Sequence, residues 1–191
     1  HYLLARIPDA GDRDIANDRW QAESKELQRL GPGEDLTALR TVLQARYATV
    51  PKGGEIPADG ALHAWSPEDA IDDALGGSID FAKFLGQDLV YYGRWYRRFR
   101  QAGTQYTRNL EALYFVARTG APQLYRLLLA PLSPTDSDET TLRKVRLAVT
   151  FVDILSARLA WSPKVRRRQS LKAGLQRTIE ESRDQAPDRL A

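Results

Sequence analysis

Residues 139–161 read ETTLRKVRLAVTFVDILSARLAW, the most apolar segment of the chain. Leu142, Val145, Val149, Val152 and Leu155 recur at intervals of three and four residues, the spacing that lines one side of an α-helix. A half-buried strand would alternate apolar and polar residues, and this segment does not. Just before it, Ser133-Pro134-Thr135-Asp136-Ser137-Asp138 is a polar hinge offering several helix caps. The segment therefore predicts one long helix that needs other helices to cover its apolar face.

The flanking segments share that period. Pro122 opens a brief apolar helix through Leu124, Leu127 and Leu128, which Pro131 stops. Ser78 is placed to cap a helix carrying Phe81, Phe84, Leu85, Leu89, Tyr92, Trp95, Tyr96 and Phe99 as far as Gly103. Thr104 is expected to begin another, with Tyr106, Leu110, Leu113, Tyr114 and Ala117 inward and Gly120 closing it. Towards the N-terminus, Asp12 to Leu30 predicts a helix with Ala16, Trp20, Leu27 and Leu30 on one face, ended by Gly31-Pro32-Gly33. Asp35 to Ala48 follows, with Leu36, Leu39, Leu43 and Tyr47 spaced for burial. Ser66-Pro67-Glu68-Asp69 starts a short helix that Gly76-Gly77 ends. Ser162-Pro163 starts the last helix, with Leu171, Leu175 and Ile179 as its stripe and fraying expected near Pro187. The expected fold is all-α, with seven or eight helices in an irregular, orthogonal bundle. Residues 1–50 are expected to form an N-terminal helical pair, 51–65 a Pro/Gly-rich loop, and 66–191 the bundle itself.

The 191 residues suit one ordinary domain, and 42% hydrophobic with 28% charged residues suits a folded chain. No apolar run approaches the roughly 18 residues of a membrane span. The chain has no cysteine, which excludes disulfides, cysteine-ligated zinc and a thiol nucleophile, and fits a reducing, cytoplasmic setting. It has no methionine either, His1 is no initiator, and Tyr2-Leu3-Leu4 lacks the layout of a signal peptide. The expectation is a piece of a longer polypeptide.

The net charge of +3 hides an asymmetry. Residues 1–90 carry a net −7 and residues 91–191 a net +10. Two clusters concentrate the positive charge. In Tyr91-Tyr92-Gly93-Arg94-Trp95-Tyr96-Arg97-Arg98-Phe99-Arg100, helical spacing puts the aromatics inward and leaves Arg94, Arg97, Arg98 and Arg100 around the other side. Guanidinium groups match phosphate bidentately, so these arginines could hold a nucleic-acid backbone; equally, they could pair with the acidic N-terminal half. Lys164, Arg166, Arg167 and Arg168 form the densest positive run, in the first turn of a helix where the dipole disfavours cations. Other candidates are weaker. Asp69, Asp72 and Asp73 are better explained as first-turn acids than as metal ligands, His63 as a loop residue, and Ser66 and Ser162 as caps. Gly31-Pro32-Gly33 lacks the lysine and serine of a phosphate-binding loop. No catalytic constellation and no cofactor site can be built from these residues.

Several short stretches carry a resemblance. His1-Tyr2-Leu3-Leu4, Asp12-Arg13-Asp14 and Asn17-Asp18-Arg19-Trp20 resemble the "N-Y-L-L … (D/E)-R … N-(D/E)-x-W" passage of the GmrSD-type restriction endonuclease family. Leu43-Gln44-Ala45-Arg46-Tyr47 is similar to that family's "L-R-A-(K/R)-Y" helix. Thr150-Phe151-Val152-Asp153-Ile154-Leu155 through Arg158 to Trp161 resembles its "F-V-D-x-x-x-x-R" helix, with Ser162 where asparagine often follows the tryptophan. The resemblance implies a helical region in a longer bacterial protein of phage defence that cuts modified DNA. A ParB-like domain handling nucleotide would precede it and an HNH nuclease, with its divalent metal, would follow. No catalytic residue carries over, because neither the family's D-G-Q-Q-R motif nor a histidine–asparagine–histidine set is present. The expected partners are DNA, the flanking domains of the same chain and a possible second copy. The alternative is a protein–protein interaction or dimerisation module that never touches nucleic acid.

Overall fold

A computed structural model of the protein describes residues 2–47, 80–119, 123–161, 175 and 177–190. Helix α1 is Tyr2–Ala5, α2 is Ala10–Gln28 and α3 is Glu34–Arg46. Helix α4 runs continuously through Phe81–Lys83, a π-helical turn at Phe84–Asp88, and Leu89–Thr104. Then come α5 (Glu111–Val116), tightened into a 3₁₀ turn at Ala117–Thr119, α6 (Leu124–Leu129) and α7 (Asp138–Trp161). Residues 177–182 form α8, and Pro187–Leu190 form α9. The fold is all-α, with no strand among the described residues.

Helix α4 is the centre, packing directly on α2, α3, α5 and α6. Its aromatic ladder explains why. Tyr92, Trp95, Tyr96 and Phe99 are all buried, and Trp95 and Phe99, one turn apart, stack with ring centroids 5.6 Å apart. One core joins Ile7, Leu27 and Val42 to Leu128, Val145, Val149 and Ile179, so helices from residues 1–50 share it with those beyond residue 80. The long helix α7 closes the other side, with Val145, Val149 and Val152 buried as their period requires.

Caps set the helix starts. Asp9 Oδ1 accepts the Asp12 N–H at 2.9 Å, and Asp80 Oδ1 accepts the Lys83 N–H at 2.9 Å. Gly33 precedes α3 with φ 75°, a left-handed conformation that glycine adopts without penalty. The π turn lets Leu89 N–H bond back five residues to the Phe84 carbonyl, so both apolar side chains stay buried despite their spacing. Its Gly86 carbonyl accepts the Arg19 Nη1 of α2 at 2.6 Å.

Four expectations need correction. Leu36 is 63% exposed, because Asp35 turns inward instead and the buried face of α3 becomes Ala38, Val42, Leu43 and Ala45. Tyr106 is 68% exposed rather than inward. No helix begins at Thr104, which ends α4. Gln105 is extended, Asn109 sits at φ 69° with its N–H held by Glu111 Oε1 at 2.8 Å, and α5 starts only after that turn. Pro187 does not fray the chain but opens α9, which packs on α7. The Ser78 cap, the loop at 51–65, the helix begun by Ser66 and the Leu171 position lie outside the described residues.

Candidate nucleic-acid interface

Helix α4 places its four arginines in two different settings. Arg97 and Arg100 face the acidic N-terminal helices. Arg97 Nη2 donates to Glu23 Oε2 at 3.3 Å and Nη1 to Glu26 Oε2 at 3.2 Å, both on α2. Arg100 Nη2 donates to Glu34 Oε1 of α3 at 2.7 Å, while Tyr96 Oη donates to the other oxygen, Oε2, at 2.8 Å. Arg100 also lies over the Tyr125 ring, 5.5 Å from its centroid. Arg94 and Arg98 have no ion pair with a carboxylate among the described residues. Arg94 is exposed 5.9 Å from the Tyr91 ring centroid, and the half-buried Arg98 stacks 4.8 Å over Trp95. Lys164, Arg166, Arg167 and Arg168 lie outside the described residues.

The Glu23–Arg97 contact is close but poorly aligned. Glu23 Oε1 lies 3.2 Å from Arg97 Nε, yet neither atom gains a hydrogen bond from the approach. Gly93 makes room for it, since a Cβ there would sit 2.7 Å from Glu23 Oε1. Burial pushes the Glu23 carboxyl up from its ordinary pKa, more than Arg97 pulls it down. Asp35 behaves oppositely. Burial alone would raise it, but Ser24 Oγ at 2.7 Å and Gln28 Nε2 at 2.8 Å donate to its Oδ2, with backbone N–H help, and hold it below the ordinary range.

A pH prediction follows, with opposite signs. The folded state binds the Glu23 proton more tightly than the unfolded chain, so this group contributes stability below the unfolded pKa and loses it as pH rises through the folded one. For Asp35 the contribution is present above the unfolded pKa and disappears as pH falls through the folded one. Urea midpoints of Glu23→Gln should therefore lack the rise that the parent chain shows as pH drops from neutrality into the ordinary glutamate range. Asp35→Asn should lack part of the fall at lower pH. Parallel pH profiles for the parent and both variants would contradict this assignment.

The remaining candidates resolve as follows. Among the described residues, no group of three or more His, Cys, Asp or Glu is placed to hold a metal, and no helix is long and apolar enough to cross a membrane. Asp69, Asp72, Asp73, His63, Ser66 and Ser162 lie outside the described residues. An apolar recess of about 80 Å³, lined by Leu127, Pro131, Leu147, Ala148, Phe151 and Leu190 among others, contains no charged group. The motif residues turn out to hold backbone. Arg19 serves the Gly86 carbonyl, and Arg46 Nη1 donates to Ala130 O at 2.9 Å while its Nη2 grips Asp184 at 2.8 Å. Asp153 and Arg158 are exposed on α7. One strongly linked group escaped the sequence reading altogether. Lys144, 3% exposed at its side chain, is held by Asp136 and the Pro131 carbonyl. The only advance signal was their eight-residue separation across a hinge, which gives no hint of contact.

No family model, curated protein or solved structure matches the chain.

Proposed function

We propose that this chain is a non-catalytic helical segment of a modification-dependent restriction endonuclease of the GmrSD type, working in phage defence in the bacterial cytoplasm. It couples a nucleotide-handling N-terminal domain to a C-terminal nuclease and holds DNA phosphates with its basic half. The observation that carries the DNA contact is the pair Arg94 and Arg98, projecting from the central helix α4 with no ion pair to an acid among the described residues. An arginine that is stacked on a ring and otherwise free keeps its donors for phosphate oxygens. Lys164, Arg166, Arg167 and Arg168 extend the same charge along the sequence. The resemblance of residues 1–162 supports the family.

Fluorescence anisotropy with a labelled duplex tests the contact. Four to six engaged phosphates give a log–log salt slope of about −4 to −5. Arg94→Glu combined with Arg98→Glu should weaken binding and flatten the slope by about 2. Affinity unchanged by that double reversal sinks the assignment. Arg97 and Arg100 are unsuitable for this experiment, because reversing them breaks contacts to α2 and α3. Those contacts favour a second reading, in which the basic half serves protein surfaces rather than DNA. A concentration-dependent dimer in sedimentation, indifferent to added duplex, would support it.

A further inference from the structure

Helix α5 carries its core contacts on one side and an aromatic ring on the other. Leu113 and Val116 are buried, and helical spacing then sends Phe115 outward, where it is 63% exposed. Its ring meets that of Tyr114 edge-to-face, with centroids 5.3 Å apart and planes at 86°. Arg118, exposed and three residues beyond Phe115, lies over Tyr114 with Cζ 3.6 Å from the ring centroid. Its Nη1 donates to the Tyr114 carbonyl at 2.9 Å, which holds the guanidinium in place. The three side chains form one contiguous group: an open ring, a supporting ring and a fixed cation. Among the described residues no carboxylate pairs with Arg118, and its other N–H groups make no bond.

The charge around this group is positive. Glu111 is the single acid in residues 104–119, and its Oε1 is engaged by the Asn109 N–H at 2.8 Å. Arg108 is exposed beside that turn, and α7 brings the exposed Arg146 to it, with Nη2 donating to Asn109 Oδ1 at 3.3 Å. An apolar protein groove would match Phe115 but leave Arg118 unmatched. A partner that joins a flat π face to an anion matches both, and each unit of an unpaired nucleic-acid strand offers a base to stack and a phosphate for arginine. A duplex keeps its base faces stacked on one another, so Phe115 gains nothing from it without unstacking. We infer that the outer face of α5 binds single-stranded nucleic acid, stacking a base on Phe115 and holding a phosphate with Arg118. The inference rests on the reading that this chain meets nucleic acid, but it uses residues other than Arg94 and Arg98 and another form of the polymer.

Fluorescence anisotropy with a short labelled oligothymidine, an abasic strand of equal length and a duplex reads the site. The parent chain should prefer oligothymidine to the abasic strand, and Phe115→Ala should bind oligothymidine about tenfold more weakly. Phe115→Trp should restore the preference, since it restores a stacking surface. Arg118→Gln should weaken both strands and flatten the log–log salt slope by about 0.7, the share of one phosphate on a single strand. Phe115 is mostly exposed, so Phe115→Ala should melt close to the parent and leave duplex affinity unchanged. Equal affinity of the parent for the two strands overturns the inference, as does oligothymidine binding that Phe115→Ala leaves intact. If Phe115→Ala instead abolishes a dimer seen in sedimentation while strand binding persists, the face serves protein contacts and the inference also fails. The duplex contact is judged separately by Arg94→Glu combined with Arg98→Glu, so either assignment can fail while the other stands.

Discussion

Replacing Asp136 by alanine is expected to destabilise the protein by about 3–5 kcal/mol, because it strands a buried cation. Lys144 Nζ donates to Asp136 Oδ2 at 2.8 Å, to Oδ1 at 3.0 Å and to the Pro131 carbonyl at 2.9 Å. The lysine side chain is 3% exposed and Asp136 12%, so water cannot substitute for the missing carboxylate. Asp136 also accepts the Ser133 N–H at 2.8 Å, fixing the hinge that leads into α7. For a chain of this size the thermal midpoint should fall by roughly 6–20 °C. Lys144→Met should cost less, since it removes the charge while keeping most of the volume, and it leaves Asp136 its backbone donor. The double variant should be more stable than the two single losses predict, and urea unfolding of all four proteins measures that coupling. Strict additivity would show that the two charges do not depend on each other.

The second large effect is expected at Arg46, where even lysine is a poor replacement. Its guanidinium reaches three places at once. Nη1 donates to the Ala130 carbonyl at 2.9 Å and approaches that of Leu132 at 3.4 Å, while Nη2 donates to both oxygens of Asp184 at 2.9 and 2.8 Å. Its plane lies 5.3 Å from the centroid of Tyr92, whose hydroxyl donates to the same Leu132 carbonyl at 2.9 Å. Arg183 completes the joint by donating to the Ala45 carbonyl at 2.8 Å. The end of α3, the exit from α6 and the turn after α8 are therefore tied through one fork. An ammonium cannot span that geometry, so Arg46→Lys should lose about 2–4 kcal/mol, read from urea midpoints at constant m. A loss within the scatter of ordinary surface substitutions would show that the fork contributes little.

These two residues mark the boundary of what could be read in advance. The apolar period alone placed Val145, Val149 and Val152 in the core and Trp95 against Phe99, because a helix fixes which positions share a face whatever it packs on. It did not place Leu36 correctly. Whether Leu36 or Asp35 turns inward depends on the donors waiting on α2, and Ser24 and Gln28 supply them. The same applies to the arginines of α4. Their alternation with aromatics identified a charged face, but the division of Arg97 and Arg100 from Arg94 and Arg98 came from where α2 and α3 present Glu23, Glu26 and Glu34.

The sequence by itself determined the all-α class, the helical identity of most segments and the uneven charge, since these depend on residues near one another along the chain. Only the tertiary structure decided which charges are spent within the fold. Arg46 meets Asp184, Arg97 meets Glu23, and Arg100 meets Glu34. Each outcome turns on residues far apart in sequence, and Coulomb energy depends on separation and desolvation in space, which composition and periodicity do not encode.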